Sequence, residues 1–265
     1  MKLATLLFLF VAPVWAQFSI EDMLKPYVYT NETGETFAYR MSAPQFPEAG
    51  KTYPLILFLH GSGECGTDNQ KQLKCGIPTL MTELLKRPDR VIVLAPQCQN
   101  GNWWVRKVTF DSKYAAAREP SGSMEVALEL CRNMVAQGVA DSNRLYITGL
   151  SLGGFGTWDA IQRGPGSLPF AAAVPICGNG DIRRVSLIKK MPIWIFHGRE
   201  DKNVPVACSR RMAEALELAG NRAVRYTEYE DGAHEIWDRA YATPELLPWL
   251  LSQSLAVKRP WWRFW

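Results

Sequence analysis

Short, almost unbroken apolar runs recur along the chain. Between them lie stretches in which apolar residues return every three or four positions. The runs fall at 55–60, 90–95, 144–148, 171–176, 193–196 and 223–229, and the helix-like stretches at about 79–86, 124–137, 154–162, 206–219 and 236–253. A run that is apolar at every position has no solvent face, so it belongs in a sheet covered on both sides. Strands of this kind alternating with helices predict a mostly parallel sheet with helices on both faces. Upstream, 27–29 and 36–41 flank Asn31-Glu-Thr-Gly34, which predicts an antiparallel hairpin. Val174-Pro175 and Met191-Pro192 punctuate strand ends.

A chain of 265 residues that is 47% apolar makes one α/β domain with a full core. No repeat, linker or low-complexity stretch interrupts it. The net charge of +4 is spread out, and no basic block suggests a nucleic-acid partner. Only 177–191 separates two of the strands downstream, too short for a helical lid, so the site of this fold is expected to be open.

The first residues read as a targeting segment. Lys2 precedes an apolar run to Ala12, and Val14-Trp-Ala16 resembles a small-residue cleavage site. The domains expected are a signal peptide at 1–16, a folded domain at 17–254 and a tail at 255–265. The apolar run is too short to span a bilayer, so export to the periplasm or the medium is expected. Export exposes the six cysteines to oxidation. A Cys65–Cys75 bridge is one possibility and free thiols the other, and the spacing does not choose among the fifteen connectivities of six cysteines. No Cys/His spacing fits zinc, so no metal is expected. Asn31-Glu-Thr33 is a glycosylation sequon. The tail Lys258-Arg-Pro-Trp-Trp-Arg-Phe-Trp265 either touches a membrane surface or folds back onto the domain.

Candidate chemistry centres on Gly149-Leu-Ser151-Leu-Gly153. It follows the apolar run 144–148 and opens the helical stretch at 154–162. Strand, sharp turn, helix is the setting that lifts a serine hydroxyl out of a sheet as a nucleophile. The bland alternative is a plain β–α turn. A serine needs a base, and the chain offers His60, His197 and His234. The first two each end a strand before a glycine, the position of a histidine that bonds loop backbone. His234 lies in a turn between the last strand and the C-terminal helix. A carboxylate must then orient the imidazole. Asp201, after the 193–196 strand, is the first candidate, Glu200 its competitor. The glycine-rich run His60-Gly-Ser62-Gly-Glu64 can supply one backbone donor for an oxyanion, at Ser62 first, with Gly61 or Gly63 as alternatives, and the amide of Leu152 a second. No phosphate-binding glycine motif is present, and no cofactor is expected. The irregular stretch 97–121 carries Trp103-Trp104, Phe110 and Tyr114, which form either an aromatic wall for substrate or a satellite core. Trp158 and Trp237 read as packing residues near the site.

These motifs together resemble a bacterial branch of the α/β-hydrolase superfamily, known variously as predicted peptidases, dienelactone-hydrolase-like proteins and carbohydrate or feruloyl esterases. The resemblance rests on Leu59-His-Gly-Ser-Gly-Glu64, Ala95-Pro-Gln-Cys98, Thr148-Gly-Leu-Ser-Leu-Gly-Gly-Phe-Gly-Thr-Trp-Asp159, Ala173-Val-Pro-Ile-Cys-Gly178, Phe196-His-Gly198, Val204-Pro-Val206 and His234-Glu-Ile-Trp-Asp238, across roughly 27–253. It implies an α/β-hydrolase fold and a triad of Ser151, Asp201 and His234; the short 177–191 connection leaves this fold without a lid domain, and the oxyanion hole is expected at Ser62 and Leu152. Cys65 departs from the pattern, since such proteins commonly carry arginine there. The reading that follows is a secreted serine hydrolase of small-molecule or polysaccharide-linked esters, with Trp103 and Trp104 near the substrate. The alternatives are a peptidase on the same triad, disfavoured because no propeller is present, and a binding module that keeps a silent hydrolase fold.

Overall fold

The computed structural model describes residues 19–32, 34–42, 48, 50–111 and 114–256. The expected signal peptide and tail residues 257–265 lie outside them. Among the described residues, no helix is long and apolar enough to cross a membrane.

An eight-stranded sheet organises the molecule. Its strands are β1 (Lys25–Thr30), β2 (Thr36–Ser42), β3 (Tyr53–Leu59), β4 (Ile92–Pro96), β5 (Ala140–Leu150), β6 (Ala172–Ile176), β7 (Ile193–Gly198) and β8 (Val224–Tyr229). The order is β1-β2-β4-β3-β5-β6-β7-β8. β1 pairs antiparallel with β2, and β2 with β4, while β4 through β8 run parallel. The hairpin and every run predicted from the apolar pattern are therefore strands of one sheet.

Alternate residues of the buried strands feed two separate cores. Leu55, Leu57 and Leu59 of β3, Leu145 and Ile147 of β5, and Ile193 and Ile195 of β7 face one side. There they meet α3 (Gly122–Ala136), α4 (Leu152–Ile161) and α5 (Ala207–Leu218). Ile56, Phe58, Tyr146, Trp194 and Phe196 face the other side. They pack on α2 (Ile77–Leu85), α6 (Trp237–Tyr241) and α7 (Leu246–Leu251); among the described residues the single turn α1 (Ile20–Met23) is the remaining helix. Period-two alternation with both faces apolar is what the unbroken runs encode.

Two boundaries differ from expectation for local reasons. The helix expected at 236–253 is broken into α6 and α7. Pro244 cannot donate to an i−4 carbonyl, and the chain turns at Thr243 before Leu246 resumes the helix with its N–H on the Thr243 carbonyl. α2 begins at Ile77, two residues before its expected start, because Gly76 adopts φ +69 as its N-cap and Pro78 fits its first turn. The connection between β6 and β7 holds one 3₁₀ segment, Ile182–Ile188, and no lid domain.

The elbow glycines are fixed by backbone approach. A Cβ on Gly153 would sit 1.9 Å from the Leu59 carbonyl oxygen, and one on Gly149 2.4 Å from the Gly153 carbonyl oxygen. α4 thus lies directly against the ends of β3 and β5. Gly153→Ala is expected to cost ~3 kcal/mol or more, because both colliding groups are backbone and cannot swing aside. Gly122→Ala, where nothing lies within 4 Å, should change stability by less than ~0.5 kcal/mol. Urea unfolding of the two variants checks this, and equal midpoints would contradict the packing argument.

Candidate active site

Ser151 holds the N-cap position of α4 with φ +52 and ψ −117. This left-handed backbone is costly for a residue with a Cβ, on the order of 1–3 kcal/mol, and is held by its surroundings. The Ser151 N–H is anchored on the Ile176 carbonyl at 2.9 Å. Its Oγ does not cap the helix. It is turned instead toward His234 Nε2, at 2.9 Å. The N-terminus of α4 adds a positive dipole end beneath this hydroxyl.

His234 stands in the turn between β8 and α6, where its Nδ1 lies 2.7 Å from Asp201 Oδ2. The ring is braced edge-on by Trp237, with centroids 5.7 Å apart. Asp201 is held from several sides. Its Oδ1 accepts the N–H groups of Asn203 and Val204, each at 2.8 Å. Its Oδ2 also lies 3.2 Å from His197 Nε2. Burial pushes this carboxyl up. The bonds from His197, His234 and the Val204 N–H outweigh burial and hold the carboxyl well below the usual carboxylate range. Glu200, the competing carboxylate, is exposed, and only its N–H is engaged, on the Gly232 carbonyl. The structure thus brings Ser151, His234 and Asp201 into one hydrogen-bonded chain and leaves Glu200 outside it.

His60 and His197 bond loop backbone, as their positions imply. His197 Nε2 lies 2.9 Å from the Val204 carbonyl, with Nδ1 2.7 Å from Ser209 Oγ. Sequence reasoning missed that His197 also reaches Asp201. The spacing of four residues across a strand end was its only signal. His60 Nε2 accepts the Cys98 N–H at 3.0 Å, and its Nδ1 lies 2.6 Å from the Gly61 carbonyl. The ring thus ties the glycine-rich turn to the end of β4.

Ser62 begins a 3₁₀ turn, Ser62–Glu64, that faces the elbow. Among the described residues, the N–H groups of Ser62 and Leu152 find no intramolecular acceptor. Both residues line a cleft of about 340 Å³ with Gly61, Glu64, Ser151 and His234. Trp103, Val108, Phe110 and Phe155 wall one part of the cleft, and Trp237 another.

The aromatic pair 103–104 divides. Trp103 is 44% exposed and lines the cleft. Trp104 is a correction to the expectation, being fully buried and absent from the cleft. Its Nε1–H donates to the His60 carbonyl at 2.9 Å, and its Cβ packs over Gly156. One neighbour faces the cleft and the next completes the core beneath it. Tyr114 is likewise core, edge-on to Phe155, whereas Phe110 reaches the cleft. Trp158 is fully buried, while Trp237 belongs to the cleft wall.

The six cysteines are free thiols, so the Cys65–Cys75 bridge is absent. The two side chains diverge. The Gly66 N–H bonds the Cys98 carbonyl at 2.8 Å, which brings Cys65 beside Cys98; the hydrogen bond from Cys98 lowers the Cys65 thiol below its ordinary value. Cys75 points to Glu64. No zinc-like spacing exists in sequence, yet in space one ligand atom each of Cys177, Asp201 and His234 lie within 4.8 Å of one another. The His234–Asp201 hydrogen bond already joins two of these three groups.

A family model described as phospholipase/carboxylesterase matches residues 46–243. The chain belongs to this family, within the α/β-hydrolases. It is similar to a thermostable esterase of known structure, with 37% identity and a TM-score of 0.79 over 89% of this chain. It spans 64% of that esterase's length. A ferulic acid esterase shares the fold at 17% identity and TM-score 0.62, over 86% of this chain and 97% of that one. An acylaminoacyl peptidase of Pyrococcus horikoshii shares it at 14% identity and TM-score 0.61, over 90% of this chain and 43% of that one.

Burial of His60 drives its pKa down to about 4, a backbone hydrogen bond with Gly61 opposing this. The unfolded chain takes up this proton near pH 6.5 and the folded chain only near pH 4, so stability falls as pH drops through that window. From pH 7 to pH 5 this group alone should remove about 2 kcal/mol. Asp201, with its lowered pKa, loses its own contribution only below the ordinary carboxylate range, near pH 4. Urea unfolding at pH 7 and pH 5 measures the first effect, and equal stabilities at the two values would contradict the neutral, buried reading of His60.

Proposed function

We propose that this protein is an exported serine hydrolase of carboxylic esters, acting through an acyl-enzyme. The observation that carries the reading is the hydrogen-bonded chain Ser151–His234–Asp201, set beside two N–H groups without internal acceptors. The family match and the esterase relative support ester hydrolysis.

The chemistry follows from the geometry. As Ser151 Oγ attacks the ester carbonyl carbon, His234 Nε2 takes its proton. The imidazolium formed is stabilised by Asp201, which accepts from Nδ1–H and is kept ionised by its own donors. Negative charge develops on the former carbonyl oxygen, where the N–H groups of Leu152 and Ser62 can receive it. A single such donor contributes on the order of 3 kcal/mol to the transition state. Collapse of this tetrahedral species sends the proton from His234 to the departing alcohol oxygen. Water then repeats the sequence on the acyl-enzyme, with His234 again as base.

The cleft sets the substrate class. Its aromatic wall of Trp103, Phe110 and Phe155 suits a short or aromatic acyl group, and about 340 Å³ is too small to enclose a long lipid chain. The short connection between β6 and β7, which carries one 3₁₀ segment and no lid domain, keeps the cleft open to bulky alcohol portions, including carbohydrate. The small-molecule or polysaccharide-linked ester and the export of the chain are parts of this proposal. Export rests on the leader read in the sequence.

Ser151→Ala should lower turnover of p-nitrophenyl acetate by on the order of 10⁶ with the fold intact. Near-normal turnover would remove the serine mechanism, and a long-chain triglyceride as best substrate would remove the acyl assignment. Asp201→Asn keeps the size of the side chain but removes its charge, and should lower kcat by ~10⁴. Glu200→Gln, at an exposed position, should change kcat/KM by less than about threefold. The reverse order between these two variants on one acetyl ester would redraw the site.

A further inference from the structure

Two of the cysteines have each other for neighbours. Cys65 is the C-cap of the 3₁₀ turn Ser62–Glu64, and Cys98 follows the end of β4. The backbone after Cys65 runs beside the backbone around Cys98. The Gly66 N–H donates to the Cys98 carbonyl at 2.8 Å. The side chain of Gln97 holds the same stretch: its Nε2 donates to the Glu64 carbonyl at 3.1 Å and to Asp68 Oδ1 at 3.0 Å, and its Oε1 accepts the Asn69 N–H at 2.7 Å. The Gly66 contact draws the Cα atoms of Cys65 and Cys98 to within roughly 7 Å, the reach of a disulfide. Their side chains meet, since Cys65 packs against the core that holds Cys98 and the Cys98 thiol hydrogen-bonds the Cys65 sulfur.

The other four cysteines have different company. Cys75 lies at Glu64, and Cys131 is enclosed in the core under α3. The Cys177 thiol donates to the His234 carbonyl at 3.5 Å, and the Cys208 thiol to the Phe110 carbonyl at 3.4 Å. Among the described residues, none of these four has a sulfur as its hydrogen-bond partner. The two thiols of the pair also differ as thiol–disulfide exchange requires. Cys65 is half-buried and Cys98 fully buried, so an external disulfide reaches Cys65 first. The bond from Cys98 lowers the Cys65 thiol and favours its thiolate, the attacking form, while burial raises the Cys98 thiol.

We propose that Cys65 and Cys98 form a disulfide, closed by an external disulfide that enters at Cys65, and that this bridge ties the Ser62–Glu64 turn to the end of β4. The Cys65 thiol gives its proton to water, and the thiolate attacks one sulfur of the external disulfide. The other sulfur leaves as a thiolate and takes a proton from water. Cys98 then attacks the Cys65 sulfur, and its proton passes to the second departing thiolate. The two cysteines lose two electrons and two protons, and the external disulfide gains them as two thiols. An oxidising compartment supplies such disulfides. The backbone contacts around the pair already exist, so closure needs no rearrangement of the chain, while the bridge restricts the unfolded chain. The proposal does not depend on the esterase reading.

The test equilibrates the reduced, folded chain with mixtures of reduced and oxidised glutathione. Samples are quenched in acid, alkylated with N-ethylmaleimide in denaturant and mapped by peptide mass spectrometry. In oxidising mixtures four of the six thiols should remain open to alkylation, and one cross-linked peptide pair should join Cys65 to Cys98. The thermal midpoint of the bridged chain should rise by about 5–10 °C. Cys98→Ser should stop at a glutathione adduct on Cys65. Cys65→Ser, at a half-buried position, should form no bridge and keep one midpoint in every mixture, a readout that stands if Cys98→Ser does not fold. Six free thiols in the most oxidising mixture overturn the proposal. So does a wild-type glutathione adduct on Cys65 that does not resolve, a bridge from Cys65 to Cys75 or to any other cysteine, or a bridged chain whose midpoint is not raised.

Discussion

The close approach of α4 to the sheet is the constraint on which the site depends. Gly149 and Gly153 allow backbone to touch backbone where any side chain would collide with Leu59 or with the elbow itself. That contact fixes where Ser151 turns, and the turn requires its left-handed φ. Because the hydroxyl is excluded from capping its own helix, it remains available to His234. The same packing draws the end of β3 toward the elbow, so the glycine-rich turn after His60 stands opposite Leu152. The proposed nucleophile and the proposed oxyanion donors are therefore products of one packing event.

A second tier of contacts holds this geometry. Asp201 is tied by two backbone N–H groups and by His197, so its carboxylate cannot drift from the His234 ring. His60, neutral through burial, links the oxyanion turn to β4 and receives the Trp104 indole on its carbonyl. Such buried histidines are structural parts of the site although they are not proposed to act on substrate. His60 also makes the fold sensitive to acid before the carboxylates titrate.

The sheet was legible because strands buried on both faces leave an unbroken apolar signature, and the proposed nucleophile because glycine spacing marks the elbow. The acid was narrowed to two neighbours, and chain direction at the end of β7 decides between them: Asp201 turns in to meet His234, while Glu200 faces solvent. The position of Trp104 was not legible, since Trp103 and Trp104 are identical in chemistry and differ only in the side of the chain they leave. The break between α6 and α7 was available in Pro244, but the apolar spacing on both sides of it masked the interruption. The cysteine neighbourhoods were hidden for a different reason. Cys65 meets Cys98 because β4 returns beside the turn after β3, a contact that sequence separation does not reveal.

The central claim is that Ser151 is an activated nucleophile. Reaction with a fluorophosphonate probe, followed by peptide mass spectrometry, measures this without reference to any substrate. The account predicts one covalent adduct per chain, located on Ser151, and almost none on the Asp201→Asn protein in the same time. Absence of an adduct on the folded wild-type chain, or an adduct on a different residue, would contradict it.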